Sequence, residues 1–244
     1  MQLLIAYFNF MLLSSTAIKR HIKKENIIIT PFNEKNLGNC SYDVTLGKYY
    51  YKELHPKESY TIYNPYSKED VYRVWGRKHQ IARPIKEWMT LHGNHTQLMT
   101  GIRPNDLVIW MAPGETILGH TEEFIGGQNI VTTMMKARSS WGRNFLTVCR
   151  CAGWGDVGYI NRWTMEITNN SRHYHIPLVV NRRIAQIAFF EVEPLEQKNN
   201  LGDYHQKDDS KYQSTLDLKK LKKEWQPEDM LPKMWKDREI KSNS

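Results

Sequence analysis

The sequence predicts an all-β fold, and three observations support this prediction. Short apolar runs follow one another between residues 107 and 192 at the spacing typical of β barrels and sandwiches. Glycine and asparagine residues separate these runs at the places where turns are needed. Residues 107–111 are continuously apolar and stop before Pro113-Gly114, which is the pattern of a buried strand.

Fewer strands are predicted in the N-terminal part of the chain, residues 1–100. Residues 1–10 are interpreted as an extension. A short helix is expected after Ser15, because Ile18 and Ile22 lie four residues apart on one face. Strands are predicted at 27–30 and 42–47. Residues 48–100 are polar, aromatic and interrupted by proline, and we expect short strands and loops there.

The rest of the β domain, which we place at residues 11–196, alternates strands with turns. Further strands are predicted at 116–119, 130–135, 145–151, 163–168, 176–180 and 184–192, with turns at Gly126-Gly127, Gly142, Gly153 and Asn169-Asn170. Residues 197–215 are polar and are expected to be flexible. Residues 216–244 form a basic tail with a short helix before Pro227, and we expect few core contacts from residue 204 onwards.

Composition bounds the class of partner. A formal charge of +8 and a pI near 9.2 favour an anionic partner, which leaves nucleotides, nucleic acid and membrane headgroups open. No dense basic run is present, so nucleic acid is not favoured. The apolar stretch at residues 1–13 lacks a positive start and is too short to span a bilayer. Three cysteines make no disulfide framework, which favours a reducing compartment, and we predict a cytoplasmic location without a membrane partner.

Zinc chemistry and P-loop phosphate binding are not predicted. Cys149 and Cys151 are a poor zinc pair because no second pair lies within reach. His120-Thr121-Glu122 matches half of the zinc deaminase motif, but the required P-C-x-x-C is missing. The Walker pattern is also absent.

Two stretches carry residues suited to chemistry on a nucleotide. In the first, Arg138 and Arg143 flank Ser139 and Ser140, and guanidinium forks and hydroxyls suit phosphate oxygens. A charged turn is the alternative for this 138–143 segment. In the second, the period of two in residues 163–168 puts Glu166 on the face opposite the apolar residues. A carboxylate there can shuttle protons, although a solvent-facing glutamate is the alternative.

Two further stretches add to this site. Asp156 lies ten residues before Glu166 in a Gly-Asp-Val-Gly sequence, where a turn aspartate is the alternative reading. Tyr204 and Lys211 lie in a polar segment that can order over a bound phosphate, although a plain polar tail is the alternative. Together, the 138–143 segment, Asp156 and Glu166 indicate a site that holds a nucleotide phosphate and performs acid–base chemistry on the rest of the nucleotide.

The ordered set of motifs resembles the dCTP deaminase branch of the trimeric dUTPase superfamily. No single motif is decisive, but their order and most spacings match. The resemblance rests on residues 11–14, 29–32, 41–47, 113–115, 118–119, 138–143, 152–156, 165–167, 183–186 and 210–213. It implies a dUTPase-like distorted jelly-roll β-barrel with short helices, a homotrimer, and active sites shared between subunits. The implied reaction is hydrolytic removal of the 4-amino group of dCTP, without zinc and with Mg²⁺ carried by the triphosphate.

The resemblance also implies roles for individual residues. Glu166 is the expected general acid and base, with Ser139 and Arg143 positioning it and the water. The expected substrate ligands are Arg138 and Ser140 for phosphate, Asp156 for the 3′-hydroxyl, the Cys151–Ala152 backbone for the base, Tyr204, Lys211 and Gln213 for closure over the triphosphate, and Trp154 and Gln186 as further contacts.

Ala152-Gly153-Trp154 is similar to the bifunctional members of this branch, which carry dCTP directly to dUMP. In that case dUTP is also a substrate, and dTTP is a candidate inhibitor. A dUTP diphosphatase without deaminase activity, and an inactive regulatory homologue that only binds nucleotide, remain alternatives. The chain departs from the family pattern at Asn161, Asn181-Arg182 and Ser214, where glycine, Pro-Gly and glycine are usual.

Overall fold

The protein is described by a computed structural model that covers residues 11–56, 61–92, 100–195, 211–213, 215 and 217–241. Its strands are β1 Ile27–Thr30, β2 Tyr42–Thr45, β3 Tyr49–Lys52, β4 Gln80–Ile81, β5 Arg83–Pro84, β6 Leu107–Met111, β7 Thr116–Gly127, β8 Val131–Ala137, β9 Leu146–Val148, β10 Trp154–Gly155, β11 Ile160–Asn169, β12 Ile176–Val179 and β13 Arg183–Glu191. Its helices are α1 Ser15–Lys23, α2 Lys68–Trp75, α3 Ile85–His92, α4 Ser139–Arg143, α5 Leu218–Glu224 and α6 Arg238–Lys241, with 3-10 turns at Glu34–Asn36, Pro227–Met230 and Met234–Lys236.

The strands form three antiparallel sheets. The first has six strands in the order β4-β3-β7-β11-β9, with β1 also paired to β7. The second runs β10-β8-β13-β2 and the third runs β12-β6-β5. The long pair β7 and β11 is the centre of the first sheet, and its register places Leu118 directly across from Glu166. Because residues directly opposite each other on neighbouring strands point to the same face, Leu118 and Glu166 lie on one face of the sheet. We call this face, which points away from the main core, the outer face.

The main core lies between the first two sheets. Trp163, Met165 and Ile167 of β11 are buried in it, together with residues of β8 and β13 such as Met135 and Phe189. The residues between them on β11 face the other way, as the predicted period of two requires. Burying each large apolar side chain contributes about 2 kcal/mol, so this alternation sets the register of β11 firmly.

The glycine pair at 126 and 127 is not the turn that the sequence predicted. Both residues belong to the end of β7, and the chain turns after them. Glycine is needed here because the backbone near Tyr159 packs closely against β7. A Cβ on Gly126 would lie 1.9 Å from the carbonyl oxygen of Tyr159. These glycines therefore allow two backbones to approach each other within the sheet.

Residues 48–100 contain more helix than predicted. The expected short strands are present as β3, β4 and β5, but α2 and α3 were not foreseen. Ser67 caps α2, where its side chain accepts a hydrogen bond from the backbone N–H of Asp70. Val71 is the buried residue of α2, so the apolar periodicity of that helix is weak. At the N-terminus, α1 is capped by Ser14, one residue before the predicted cap.

The expectation that the C-terminal residues make few core contacts is wrong. Leu221, Met230 and Leu231 are only 4%, 3% and 1% exposed. Met230 and Leu231 complete a second apolar cluster with Tyr51, Val71 and Leu118. Asp217 caps α5, whose lysines are exposed. The C-terminal segment, meaning the described residues between 211 and 241, and α2 thus cover the outer face of the first sheet. Within the described residues, no helix is long and apolar enough to cross a membrane.

Candidate active site

A cavity of about 550 Å³ lies at the outer face of the first sheet. Its polar lining comes from β11, from the 156–161 turn and from the C-terminal segment, and consists of Asp156, Asn161, Arg162, Thr164, Glu166, Lys211, Gln213 and Asp229. Its aromatic lining includes Trp75, Trp154 and Trp225. A cavity of this size that combines apolar walls with a few polar groups is typical of small-molecule sites.

Glu166 is the most informative side chain of this cavity. The alternation of β11 directs it outward, where the segments that cover the outer face bury it in part. Its Oε2 atom is buried and has no hydrogen-bond partner among the described residues. Burial raises the pKa of the Glu166 carboxyl above its ordinary value of 4.5, although the positive charge of Arg150 opposes this rise. Glu166 is therefore a partly buried cavity residue, and the alternative of a solvent-facing glutamate does not hold.

Asp156 lies at the mouth of the same cavity. Its Oδ1 accepts a hydrogen bond of 3.1 Å from the indole Nε1 of Trp154, and both side chains are exposed. Its backbone carbonyl accepts from the N–H of Tyr159, which closes the turn into β11. The carboxylate is thus both a turn residue and a lining residue. Its orientation is fixed by Trp154, which suits a hydrogen-bond acceptor for a ligand hydroxyl.

A tight turn at residues 149–152 brings Ala152 to the cavity. Cys149 and Arg150 have positive φ angles of 59° and 31°, and the N–H of Ala152 donates to the Cys149 carbonyl at 2.7 Å. The N–H of Cys149 donates in turn to the Glu166 carbonyl. Burial raises the pKa of the Cys149 thiol to about 12, so it stays neutral and is no nucleophile. Cys151 is exposed and does not line the cavity.

The 138–143 segment lies elsewhere on the chain. Arg138 and Ser140 line a second pocket of about 530 Å³, together with Arg182 and Arg183. Asp43 contacts the Nε of Arg138 at 3.2 Å and the Nη1 of Arg183 at 3.0 Å. Ser139 is exposed on α4 beside this pocket. Within one chain, therefore, the predicted phosphate ligands do not share a cavity with Glu166.

Two other predicted site residues also lie away from Glu166. Arg143, at the end of α4, is exposed. Gln186 is half-buried on β13, opposite Asp43 and Lys136 in the register, and lies outside the Glu166 cavity.

The predicted closing residues divide into two groups. Lys211 and Gln213 line the Glu166 cavity, whereas Tyr204 lies outside the described residues. Lys211 forms an ion pair with Asp237. Gln213 is buried, and its Oε1 accepts from the N–H of Ile160 at 2.8 Å while its Nε2 donates to the Gly158 carbonyl at 3.0 Å. The Gln213 amide thus holds the turn that carries Asp156 into β11.

Sequence reasoning missed two kinds of lining residue. Arg162 was absent from the predicted site, although it shares the outward face of β11 with Glu166 and the period of two could have identified it. Its Nη2 donates to Glu122 at 2.9 Å, and its Nε is buried without a partner among the described residues. Trp75, Trp225 and Met230 carry no local signal, because their place depends on how α2 and the C-terminal segment pack on the sheet.

The described residues contain no cluster of three or more His, Cys, Asp or Glu side chains that could hold a metal ion.

Comparison with known proteins gives a consistent result. Residues 12–192 match the family model described as dCTP deaminase-like. The chain is 33% identical over 180 residues to the "dCTP deaminase, dUMP-forming" of Methanocaldococcus jannaschii, which covers 73% of this chain and 81% of that protein. It is 28% identical over 198 residues to the protein of the same name from Nanoarchaeum equitans, covering 80% and 92% of the two chains.

The fold comparison agrees with the sequence comparison. The crystal structure of 2′-deoxycytidine 5′-triphosphate deaminase from Agrobacterium tumefaciens superposes with a TM-score of 0.50 at 14% identity, covering 81% of this chain and 53% of that chain. At this identity the likeness concerns the fold alone. It confirms the predicted all-β fold.

Proposed function

Because the chain belongs to the dCTP deaminase-like family, we propose that it is an enzyme that removes the 4-amino group of dCTP by hydrolysis. The observation that carries this proposal is the state of Glu166. Its carboxyl lines a cavity large enough for a nucleoside, one oxygen is buried without a partner among the described residues, and burial raises its pKa. A general acid and base works best when its pKa is close to the working pH.

The proposed reaction needs one group that moves protons. Glu166 takes a proton from water as the water oxygen bonds to C4 of cytosine, and it passes this proton to N3. The resulting tetrahedral carbon carries a hydroxyl and the amino group. Glu166 then takes the hydroxyl proton and gives it to the amino group, which leaves as ammonia while the C4 carbonyl forms. The balance is dCTP plus water to dUTP plus ammonia, and Glu166 returns to its starting state.

The remaining predicted ligands orient the substrate in this proposal. Asp156, held by Trp154 at the mouth of the cavity, would accept a hydrogen bond from the 3′-hydroxyl. The backbone around Ala152 would bind the base edge, and Lys211 would approach the phosphates after release from Asp237. Mg²⁺ would be bound through the phosphate oxygens and would neutralise part of their charge.

A homotrimer is part of the proposal. Arg138, Ser139, Ser140 and Arg143 lie outside the Glu166 cavity of their own chain, but α4 and its neighbours are exposed to solvent. A neighbouring copy would bring this segment to the cavity, so that phosphate and base are held by different chains. Ser139 and Arg143 would then position the water and Glu166, while Arg138 and Ser140 would bind phosphate.

Two observations support a second activity. The similar archaeal proteins are named dUMP-forming, and Ala152-Gly153-Trp154 precedes Asp156 at the cavity mouth. We infer that the enzyme also cleaves the triphosphate, with water attacking the α-phosphorus and diphosphate leaving, so that dCTP is converted to dUMP. In this scheme dUTP is a substrate, and dTTP would compete through the same sugar and phosphates.

Product identification tests both activities at once. The protein would be incubated with Mg²⁺ and either dCTP or dUTP, and the products would be separated by chromatography with ammonia measured in parallel. Conversion of dCTP to dUMP and ammonia supports both activities, and accumulation of dUTP supports the deaminase alone. Cleavage of dUTP with dCTP untouched would overturn the deaminase proposal in favour of a dUTP diphosphatase. Binding without turnover of either nucleotide would indicate a regulatory homologue.

A further inference from the structure

The lining of the Glu166 cavity has two origins in the chain. Arg162, Thr164 and Glu166 come from β11, within the residues that match the family model. Trp225, Met230 and Pro232 come from the C-terminal segment, which follows the matched region 12–192. A segment outside the matched region therefore forms part of the wall that faces the proposed catalytic carboxyl.

Trp225 of this wall is held by contacts with a cationic and an aromatic side chain. The guanidinium of Arg162 lies 4.9 Å from its ring centroid, a cation–π distance, and the ring of His120 lies 4.8 Å away. Arg162 is itself fixed by Glu122 at 2.9 Å and packs on the ring of Phe124 at 5.2 Å. Burial lowers the pKa of His120 to about 4, so this histidine stays neutral and leaves the contact unchanged around neutral pH.

The segment that carries Trp225 is anchored both to the first sheet and to α2. Met230 and Leu231 are buried against Tyr51 and Leu118 of the sheet. The hydroxyl of Tyr72, on α2, forms a hydrogen bond with Glu228. Because the chain on its C-terminal side is packed in this way and its ring contacts Arg162 and His120, Trp225 is a fixed part of the cavity wall.

We propose that Trp225 is a substrate-binding residue that presents an aromatic surface to the pyrimidine base held beside Glu166. A pyrimidine is planar, and base stacking on an aromatic side chain is favourable whatever groups the base edge carries. Stacking leaves the edge of the ring, with its C4 and N3 atoms, free to face the carboxyl. This inference rests on the proposed function, because the base is identified through it.

The experiment compares Trp225 with a matched tryptophan of the same segment. Trp235 packs against the same apolar cluster as Trp225 but does not line the cavity. We expect Trp225→Ala to raise the KM for dCTP about tenfold with a smaller effect on kcat, and Trp225→Phe to keep most of the affinity. Trp235→Ala should lower the melting temperature comparably and leave KM near the wild-type value.

Binding by calorimetry separates this inference from the proposed function. Trp225→Ala should weaken dCTP binding but leave the affinity for inorganic tripolyphosphate, which has no base, unchanged. If the wild type releases no ammonia yet dCTP binding falls only in Trp225→Ala, the proposed function fails and the inference stands. If the wild type deaminates dCTP but the two alanine variants lose affinity in parallel with melting temperature, the residue is merely structural and the inference is overturned.

Discussion

The imidazole of His120 fills the space beside Gly47 where a side chain would otherwise lie. A Cβ on Gly47 would be 1.9 Å from Cε1 of His120, and the N–H of Gly47 donates to the His120 carbonyl at 2.7 Å. The ring contacts the Thr121 carbonyl through Nδ1 and the Tyr49 N–H through Nε2. A neutral ring with its hydrogen on Nδ1 satisfies both contacts, in agreement with its lowered pKa of about 4.

We expect Gly47→Ala to destabilise the protein by about 1–3 kcal/mol, because the ring of His120 must move out of its site. Urea unfolding followed by fluorescence measures this loss. Gly142→Ala is the matched control, since a Cβ there meets nothing within 4 Å. The control should be neutral or slightly stabilised. Equal effects in the two variants would contradict the packing explanation.

Glu166→Gln should lower the rate of ammonia release by about 10²–10⁴-fold, because an amide cannot carry the proton. The dCTP affinity, measured by calorimetry, should stay close to that of the wild type, since the amide keeps the shape of the carboxyl. Glu193→Gln, at an exposed position, is the control and should be fully active. Substantial ammonia release by Glu166→Gln would remove this residue from the mechanism.

The raised pKa of Glu166 predicts a pH dependence. The carboxyl must be ionised to take a proton from water, so kcat/KM should fall on the acid side at a pH above the ordinary 4.5 of glutamate. Arg150 opposes the shift, and Asp156, Arg162, Lys211 and Asp229 also line the cavity. A pH profile of deamination from about pH 4 to 9 would locate the fall.

The raised pKa of Glu166 also predicts how the stability of the folded protein changes with pH. A carboxyl whose pKa is raised in the folded state favours folding while protonated, and this contribution is lost as the pH rises through the folded-state pKa. Glu166→Gln should therefore become more stable relative to the wild type as the pH rises above 4.5. Melting temperatures of both proteins across this range measure the trend. A stability difference that stays constant with pH would argue against the shift.

Subunit mixing tests whether the active site is shared. Glu166→Gln and Arg138→Ala should each be inactive alone as a homotrimer. If every site takes Glu166 from one chain and Arg138 from another, a one-to-one mixture assembled after unfolding should recover about a quarter of the wild-type activity. Activity near zero in the mixture would place both residues of each site in a single chain.

Leu231→Ala should cost about 2–5 kcal/mol of unfolding free energy, because Leu231 is 1% exposed within the second apolar cluster. Leu231 does not line the Glu166 cavity, so the loss reports on folding. Lys223→Ala, on the exposed side of α5, should change stability by less than about 0.5 kcal/mol. A loss as small as that of the lysine control would restore the original expectation of a loosely packed C-terminus.

The sequence predicted what depends on local periodicity. The strand around residue 109 was foreseen from its continuous apolar run, and the strand around residue 178 from an apolar run between turns. The strand around residue 165 and the outward direction of Glu166 were foreseen because an alternation of two is visible in the residues themselves. Gly126 was misread because its role depends on the carbonyl of Tyr159, 33 residues away in sequence. The place of Trp225 depends on docking against His120 and Arg162, which no local pattern records.

The placement of the 138–143 segment could not be predicted for a different reason. The residue types from Arg138 to Arg143 predict phosphate contacts, and the structure does place Arg138 and Ser140 in a pocket with further arginines. In the proposed homotrimer, the arrangement of the copies would decide whether that pocket meets a Glu166 cavity. Neither the periodicity of one chain nor its fold determines that arrangement.

The burial of Met230 and Leu231 has a consequence for how the protein is made. A ribosome releases the β domain before it adds these two residues, so Tyr51 and Leu118 remain uncovered on the growing polypeptide. Exposed apolar surface of this kind promotes aggregation and attracts chaperones. Premature termination upstream of residue 230 would therefore leave a protein with exposed apolar surface and an incomplete cavity wall. Cells would be expected to degrade such a protein rather than accumulate a partly working enzyme.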